Sequence, residues 1–346
     1  MLSNMILWAA AFGGWTQPAG AEPSYRVIKS VKVGGPGGWD YVSADAENRR
    51  LYIPRGNRIT VWDLDTLAPV ATIPGANSVH GVALDPAAHH AFSSSRPLLM
   101  WDTRTLALIK TIAIQGNPDG ILFEPATERI YVLSHRAPNV TVVDARTGAI
   151  IGTIDLGGAP EQAVSDGAGH VYVDIEDQDK VAVVDAHSLQ VTARYDLGGK
   201  GGGPGGLALD AQNHILFSFC HDPAAAVILD ARNGQIIAAL PIGKGVDAAE
   251  FSPATGEAFS SQGDGTLTVI KEISPARFEV EQTVATKPGA RTSALDVKTG
   301  HIVLVTADRL PAATVPIAVG SSPAPGPHHE RMPVVPDSFT ILVVGK

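Results

Sequence analysis

A short acidic or Ser-Pro turn recurs seven times along the 346-residue chain, and this period restricts the fold more than any other feature. It falls at Asp45, Asp85-Pro86, Glu124-Pro125, Asp166, Asp210, Ser252-Pro253 and Asp296, at spacings of 40, 39, 42, 44, 42 and 44 residues. An aromatic follows seven residues later, or six in the fourth copy, at Tyr52, Phe92, Tyr131, Tyr172, Phe217 and Phe259, with Val303 ending the series. Next comes a segment rich in β-branched residues: "ITVWDLDT", "LLMWDTRT", "VTVVDART", "VAVVDAHS", "AVILDARN" and "LTVIKEIS". No long stretch keeps a 3.6-residue period, so helix is a minor component. Four short strands per repeat of this length predict a propeller blade, a sheet that hides its faces only against neighbouring blades.

The seventh copy has strands at "SALDV" and "HIVLVT", then an interruption, then "SFTILVVG", and it lacks a fourth strand. The segment "YRVIKSVKV", Tyr25 to Val33, is a strand without a blade. Placing it on the seventh sheet removes two open edges together. The sequence therefore predicts an all-β, seven-bladed propeller of four-stranded antiparallel blades, the last closed by the N-terminal strand. One domain is expected over residues 22–346, with a Pro-rich insertion at 308–337.

The first 21 residues read as a secretory signal: the apolar run "MILWAAAFGGW" precedes an Ala19-x-Ala21 cleavage site, although no basic residue precedes the run. The mature chain is expected to begin near Glu22, to carry no transmembrane segment, and to be periplasmic or secreted. A net charge of −9 argues against nucleic acid as a partner, since that affinity rests on neutralising phosphates. Cys220 stands alone, so no disulfide framework forms within the chain, and a buried small hydrophobe is the simplest role for it.

The "IYV" strands, the "V-x-V-V/W-D" strands and the "TI-x-L-G" endings resemble the YVTN-repeat (YncE-like) seven-bladed propellers over residues 25 to 346. The C-terminal "TKPGARTSALDVKTGHIVLVTAD" and "VPDSFTILVVGK" look like exported bacterial members. The resemblance implies an exported or surface protein and supplies no catalytic signature. Trp62-Asp63 and Trp101-Asp102 mimic the WD dipeptide of another propeller family, but Asp144, Asp185 and Asp230 match them without Trp, so these read as turn residues.

Counting five residues back from each turn gives the start of each innermost strand: Asp40, His80, Asp119, Glu161, Gly205, Asp247 and Arg291. Four carboxylates, one His and one Arg among seven seats make an unusual ring, and crowded carboxylates raise one another's pKa unless a cation compensates. Such a ring could bind a hard cation, a cationic ligand, or a polar substrate between Asp119 and Arg291. A wet channel mouth also tolerates charge without purpose. Arg55, Arg96, His135, Arg136, Glu176 and His221 are expected on the same face, together with the insertion and its His328 and His329. "DIEDQDK", Asp174 to Lys180, lacks the glycine and distal glutamate of an EF-hand and reads as a solvated acidic loop. "GGKGGGPGG" lacks a P-loop ending and reads as an interblade connection. "NVT" at Asn139 is a glycosylation sequon by pattern only.

The leading expectation is a recognition or scaffold protein holding a small polar ligand or a protein partner at the channel mouth, with Asp40, His80, Asp119, Glu161, Asp247 and Arg291 as the candidate contacts. No cofactor is expected, though a divalent metal fits the ring. The alternative is a propeller hydrolase, lyase or oxidoreductase using these carboxylates and His80. A small, deep, convergent pocket would favour the enzyme, and a flat open face would favour partner binding.

Overall fold

A computed structural model describes residues 24–310 and 333–346. Its strands form seven separate four-stranded antiparallel sheets, six of which pair strands in simple sequence order. The innermost strands are Ser43–Asp45, Val82–Asp85, Pro118–Glu124, Pro160–Ser165, Pro204–Asp210, Val246–Ser252 and Ser293–Asp296. Each approaches its two neighbours in cyclic order, and the first approaches the last, so the blades form a closed ring.

The sequence period corresponds to a single repeated register. Ser43 faces Tyr52, Ala83 faces Phe92, Leu122 faces Tyr131, Val164 faces Tyr172, Ala208 faces Phe217, Glu250 faces Phe259 and Ala294 faces Val303. Small or apolar partners let the aromatic of each second strand fill the space between blades, and Tyr52, Phe92, Tyr131, Phe217 and Phe259 are among the largest fully buried side chains. Only the sixth blade breaks the pattern, with the carboxylate of Glu250.

Arg26–Lys32 pairs antiparallel with Thr340–Gly345 and becomes the outer strand of the seventh blade, as the missing strand demanded. Tyr25, just before this strand, and Lys346, just after its partner, then meet a fully buried carboxylate of blade six. Tyr25 donates its hydroxyl to Glu257 Oε2 at 2.6 Å, and Lys346 Nζ reaches Oε1 at 2.9 Å. Gln282 holds the Tyr25 backbone from both sides, accepting from its N–H and donating to its carbonyl.

The face opposite the inner-strand starts is held by carboxylates acting on backbone. Asp63, Asp102, Asp144 and Asp185 each accept from the amides two and three residues on and from a Thr or Ser hydroxyl. In the WD-like dipeptides it is therefore the Asp that caps a turn, while Trp62 and Trp101 belong to the third strands of their blades. Arg49 joins the first and last blades here, binding both oxygens of Asp296 at 2.9 and 2.7 Å.

Two local expectations need correction. "Asn-Pro-Asp-Gly", residues 117–120, has the composition of a β-turn with Gly120 in the left-handed region, yet Pro118 begins an inner strand and the left-handed residue is Gly116 at φ +79°. Gly120 is required for another reason, since a Cβ there would lie 2.6 Å from the Glu161 carbonyl oxygen. "DIEDQDK" is not simply a solvated acidic loop, because Asp174 is wholly buried in a strand and accepts from Ser218 at 2.9 Å. Asp177 and Asp179 accept from the amides of Ala159 and Gly203, so they tie neighbouring loops rather than repel them. Cys220 is buried, as expected. Asn139 is also buried, donating to the Ser134 carbonyl and accepting from the Leu156 amide, which leaves the sequon's amide occupied.

The insertion joins the second and third strands of blade seven on the ring face. Its ends are pinned to one another: Leu310 N–H donates to Pro333 O, and Val335 N–H to Asp308 O. His328 and His329 lie outside the described residues, as does the expected signal segment.

Candidate functional site

Six of the seven inner-strand starts carry polar side chains, and the structure joins them into one network at the channel mouth. The first link is His80 Nδ1, 2.8 Å from Asp40 Oδ2 and 3.3 Å from Asp119 Oδ1. Asp119 Oδ2 then faces His135 Nε2 at 3.6 Å, and that nitrogen lies 2.9 Å from Glu161 Oε2. On the other side of Asp40, Arg291 Nη2 stands 3.9 Å from Oδ1, while its Nη1 approaches Asp247 Oδ2 at 2.6 Å. Asp119 is thus shared between two histidines, and Arg291 pairs with Asp247 instead of standing opposite Asp119 across a substrate gap.

His135 enters from the loop between the second and third strands of blade three, the group expected on this face. Its companions behave differently. Arg55 leaves the ring, laying its guanidinium 3.6 Å over the Phe339 ring and donating to the carbonyls of Gly35 and Pro36. Arg96 donates to the Gly116 carbonyl. The bare seat at Gly205 is covered by His221, whose Nε2 would lie 2.7 Å from a Cβ placed there. Tyr41 was not foreseen: it follows Asp40 and donates its hydroxyl to Glu161 Oε1 at 2.6 Å.

The electrostatics follow from burial of like charges. Desolvation, then the nearby charge of Glu161, pushes the Asp119 carboxyl up to about 6 against the pull of His80 and His135. Desolvation also raises Asp247 well above the carboxylate range, although Arg291 opposes it. The hydrogen bond to Glu161 is the main reason His135 rises to about 9. Burial alone would lower His80, but the bond to Asp40 and the charges of Asp119, Asp40 and Glu161 outweigh it and raise its pKa. Tyr41 is held protonated by burial and by the surrounding carboxylates, which keeps it a hydrogen-bond donor.

Just beyond the ring lies a polar cavity of about 130 Å³, lined by residues that follow the ring seats, among them Tyr41, Ser43, Gln162, Glu250 and Ser293. Gln162 crosses the channel, donating to the Ala249 carbonyl and accepting from the Leu207 and Ala249 amides, so it fastens blade four to blades five and six. Glu250 has no hydrogen-bond or ion-pair partner among the described residues, and burial raises its carboxyl to about 8. Drug-sized ligands fill roughly 300–1,000 Å³. This space suits an ion, a few waters or a small head group.

The arrangement defines a seven-bladed β-propeller with a titratable channel mouth. No family model and no curated protein matches the chain. Among solved structures it is similar to the WD40 repeats of RRP9 (TM-score 0.72, 12% identity, 93% of this chain and 97% of that one). It is also similar to U3-55K (TM-score 0.70, 12% identity, 92% and 98%) and to a chain of the mitotic checkpoint complex (TM-score 0.71, 12% identity, 87% and 95%). At this identity the likeness establishes the propeller architecture alone.

Proposed function

We propose that the protein is an exported recognition propeller of the YVTN-repeat kind, which captures a small ligand bearing positive charge at its channel mouth. The observation that carries this reading is the convergence of Asp40, Asp119 and Glu161 through two histidines, with one arginine already committed to Asp247. The recess supports a small ligand over a protein partner: the Asp40, Asp119 and Glu161 side chains are only 14%, 15% and 13% exposed, too little for a partner surface to reach. Export rests on the apolar N-terminal run and its Ala-x-Ala site, and N-terminal sequencing of protein recovered from each cell fraction tests it.

A second reading has its own support. Asp119, with a pKa near neutrality between two histidines, is suited to general acid–base work on a substrate lying over the mouth. The cavity is small and its polar groups converge, as this reading asks, and at about 130 Å³ it would hold only the reacting end of a substrate.

The decisive experiment is a thermal-shift screen of the full chain with divalent metals, agmatine and choline, repeated on Asp119→Asn and Glu161→Gln. A cation that stabilises the parent and loses its effect in both variants is expected. Shifts of equal size in all three proteins would move the ligand away from the ring.

A further inference from the structure

We infer that the channel mouth is a dinuclear metal site in which the Asp119 carboxylate bridges two divalent cations. This deepens the reading of the mouth as a cation site and rests on it. Two groups of three side chains have ligand atoms lying within 4.8 Å of one another: Asp40, His80 and Asp119, and Asp119, His135 and Glu161. They share Asp119, and they use different oxygens of it. Oδ1 is the atom near His80, at 3.3 Å, and Oδ2 the atom near His135, at 3.6 Å. One oxygen toward each histidine is how a carboxylate spans two metals, which in two-metal sites stand roughly 3.5–4 Å apart.

The separations within each triad fit a shared ion. Ligand atoms at about 2.0–2.2 Å from one metal stand about 2.8–3.6 Å apart when the angle between them lies between a right angle and a tetrahedral one. The histidine-to-carboxylate distances are 2.8 and 3.3 Å in the first triad and 2.9 and 3.6 Å in the second. Asp119 and Glu161 sit in the first residues of inner strands, Asp40 and His80 in the short segments that lead into theirs at Ser43 and Val82, and Gly120 brings blades three and four into backbone contact.

An outer partner orients one terminal carboxylate: Tyr41 donates to Glu161 Oε1, leaving Oε2 toward His135, whereas Arg291, 3.9 Å from Asp40 Oδ1, supplies charge there while Oδ2 faces His80. A donor on the outer oxygen that fixes the inner one is the usual support of a metal ligand. One imidazole and two carboxylate oxygens per ion suit Mn²⁺, Fe²⁺ or Zn²⁺ better than Ca²⁺, which takes six to eight oxygens. Three protein ligands per ion leave coordination positions open. Three carboxylates also leave two divalent ions with a surplus positive charge, which an anion such as phosphate or hydroxide would neutralise.

The test uses the full chain, stripped with chelator and titrated with Zn²⁺ and with Mn²⁺ by calorimetry, with bound metal counted by elemental analysis. Two ions per chain are expected, and the Mn²⁺ form should give the broadened electron paramagnetic resonance signal of a coupled pair. Asp119→Asn should bind at most one ion, at least tenfold more weakly, and lose the coupled signal. His80→Asn and His135→Asn should each retain one ion, which guards against a folding defect in any single variant. A parental stoichiometry of one, or a coupled pair that survives Asp119→Asn, overturns the bridge while leaving a cation site. No metal bound alongside a ring-dependent shift with agmatine overturns the metal pair and leaves the recognition reading. No metal and no cation shift overturns both.

Discussion

Carboxylates gather at both ends of this ring, and they are treated in opposite ways. On the turn face, Asp144 and its equivalents receive two amides and a hydroxyl apiece, and Asp296 receives the guanidinium of Arg49. Burial pushes Asp144 and Asp296 up, but these donors win and hold both below the ordinary range. At the mouth the carboxylates face one another and two histidines, and Asp119 and Asp247 are raised. The same residue type is a fastener where it receives backbone amides at a turn and a titrating group where several are buried together.

The two ends must therefore respond to pH with opposite sign. A carboxyl whose folded pKa is lowered adds stability above its ordinary value of 3.8, and that stability is lost as pH falls toward the folded pKa. A carboxyl whose folded pKa is raised binds more protons in the folded chain, so stability falls as pH rises through the interval. That interval runs from 3.8 to about 6 for Asp119 and from 4.5 to about 8 for Glu250. His135 adds stability below 6.5 that is lost as pH passes about 9.

The strongest way to break the comparison is Asp296→Ala, which removes the interblade partner of Arg49 and leaves its guanidinium to Asp65 alone, and which also frees Thr299. A loss of about 3 kcal/mol in urea unfolding at pH 7 is expected from these charge-assisted hydrogen bonds. A neutral result would mean that the turn-face carboxylates are not fasteners. Glu250→Gln should do the reverse and stabilise the chain, by on the order of 2 kcal/mol at pH 8 and by progressively less toward pH 4.5. Melting curves of parent and variant across that range should converge in acid. A constant gap would trace the gain to packing rather than to charge. The smallest effect is expected from Asp144→Ala, about 1 kcal/mol at pH 7, with the variant and parent drawing together only below pH 3.8.

Most of the fold was legible because a propeller writes its register into a period. The seven turns, the aromatics after them and the unpaired strand at Tyr25 fix blade count and closure without tertiary information. The ring seats were legible by the same counting, which places Asp119 beside His80 even though 39 residues separate them. Contacts that depend on side-chain reach were not. Tyr41 bonds to Glu161 across the mouth, and Gln162 crosses to blade six, since a narrow channel brings distant blades within one side chain's length. Glu250 left a trace that alignment of the repeats would have exposed: it occupies a position where the other blades have Ser43, Ala83, Leu122, Val164, Ala208 and Ala294. Arg55 could not be placed from its loop alone, because the Phe339 ring that draws it away lies 284 residues further on.

The closing strand also sets an order of events. Six sheets need only strands that are neighbours in the chain, and each can zip as soon as its own segment is available. The seventh pairs Arg26 with Gly345 and therefore waits until Thr340–Gly345 has been made. Until then Glu257 lacks both Tyr25 and Lys346, and the ring is an open arc with two bare sheet edges. A doubling of loop length adds only about 0.6 kcal/mol to the entropy of closure, so the finished ring costs little for its long-range seam. The exposure is one of time: the nascent arc is vulnerable to pairing with another chain's edge for as long as the first strand has no partner.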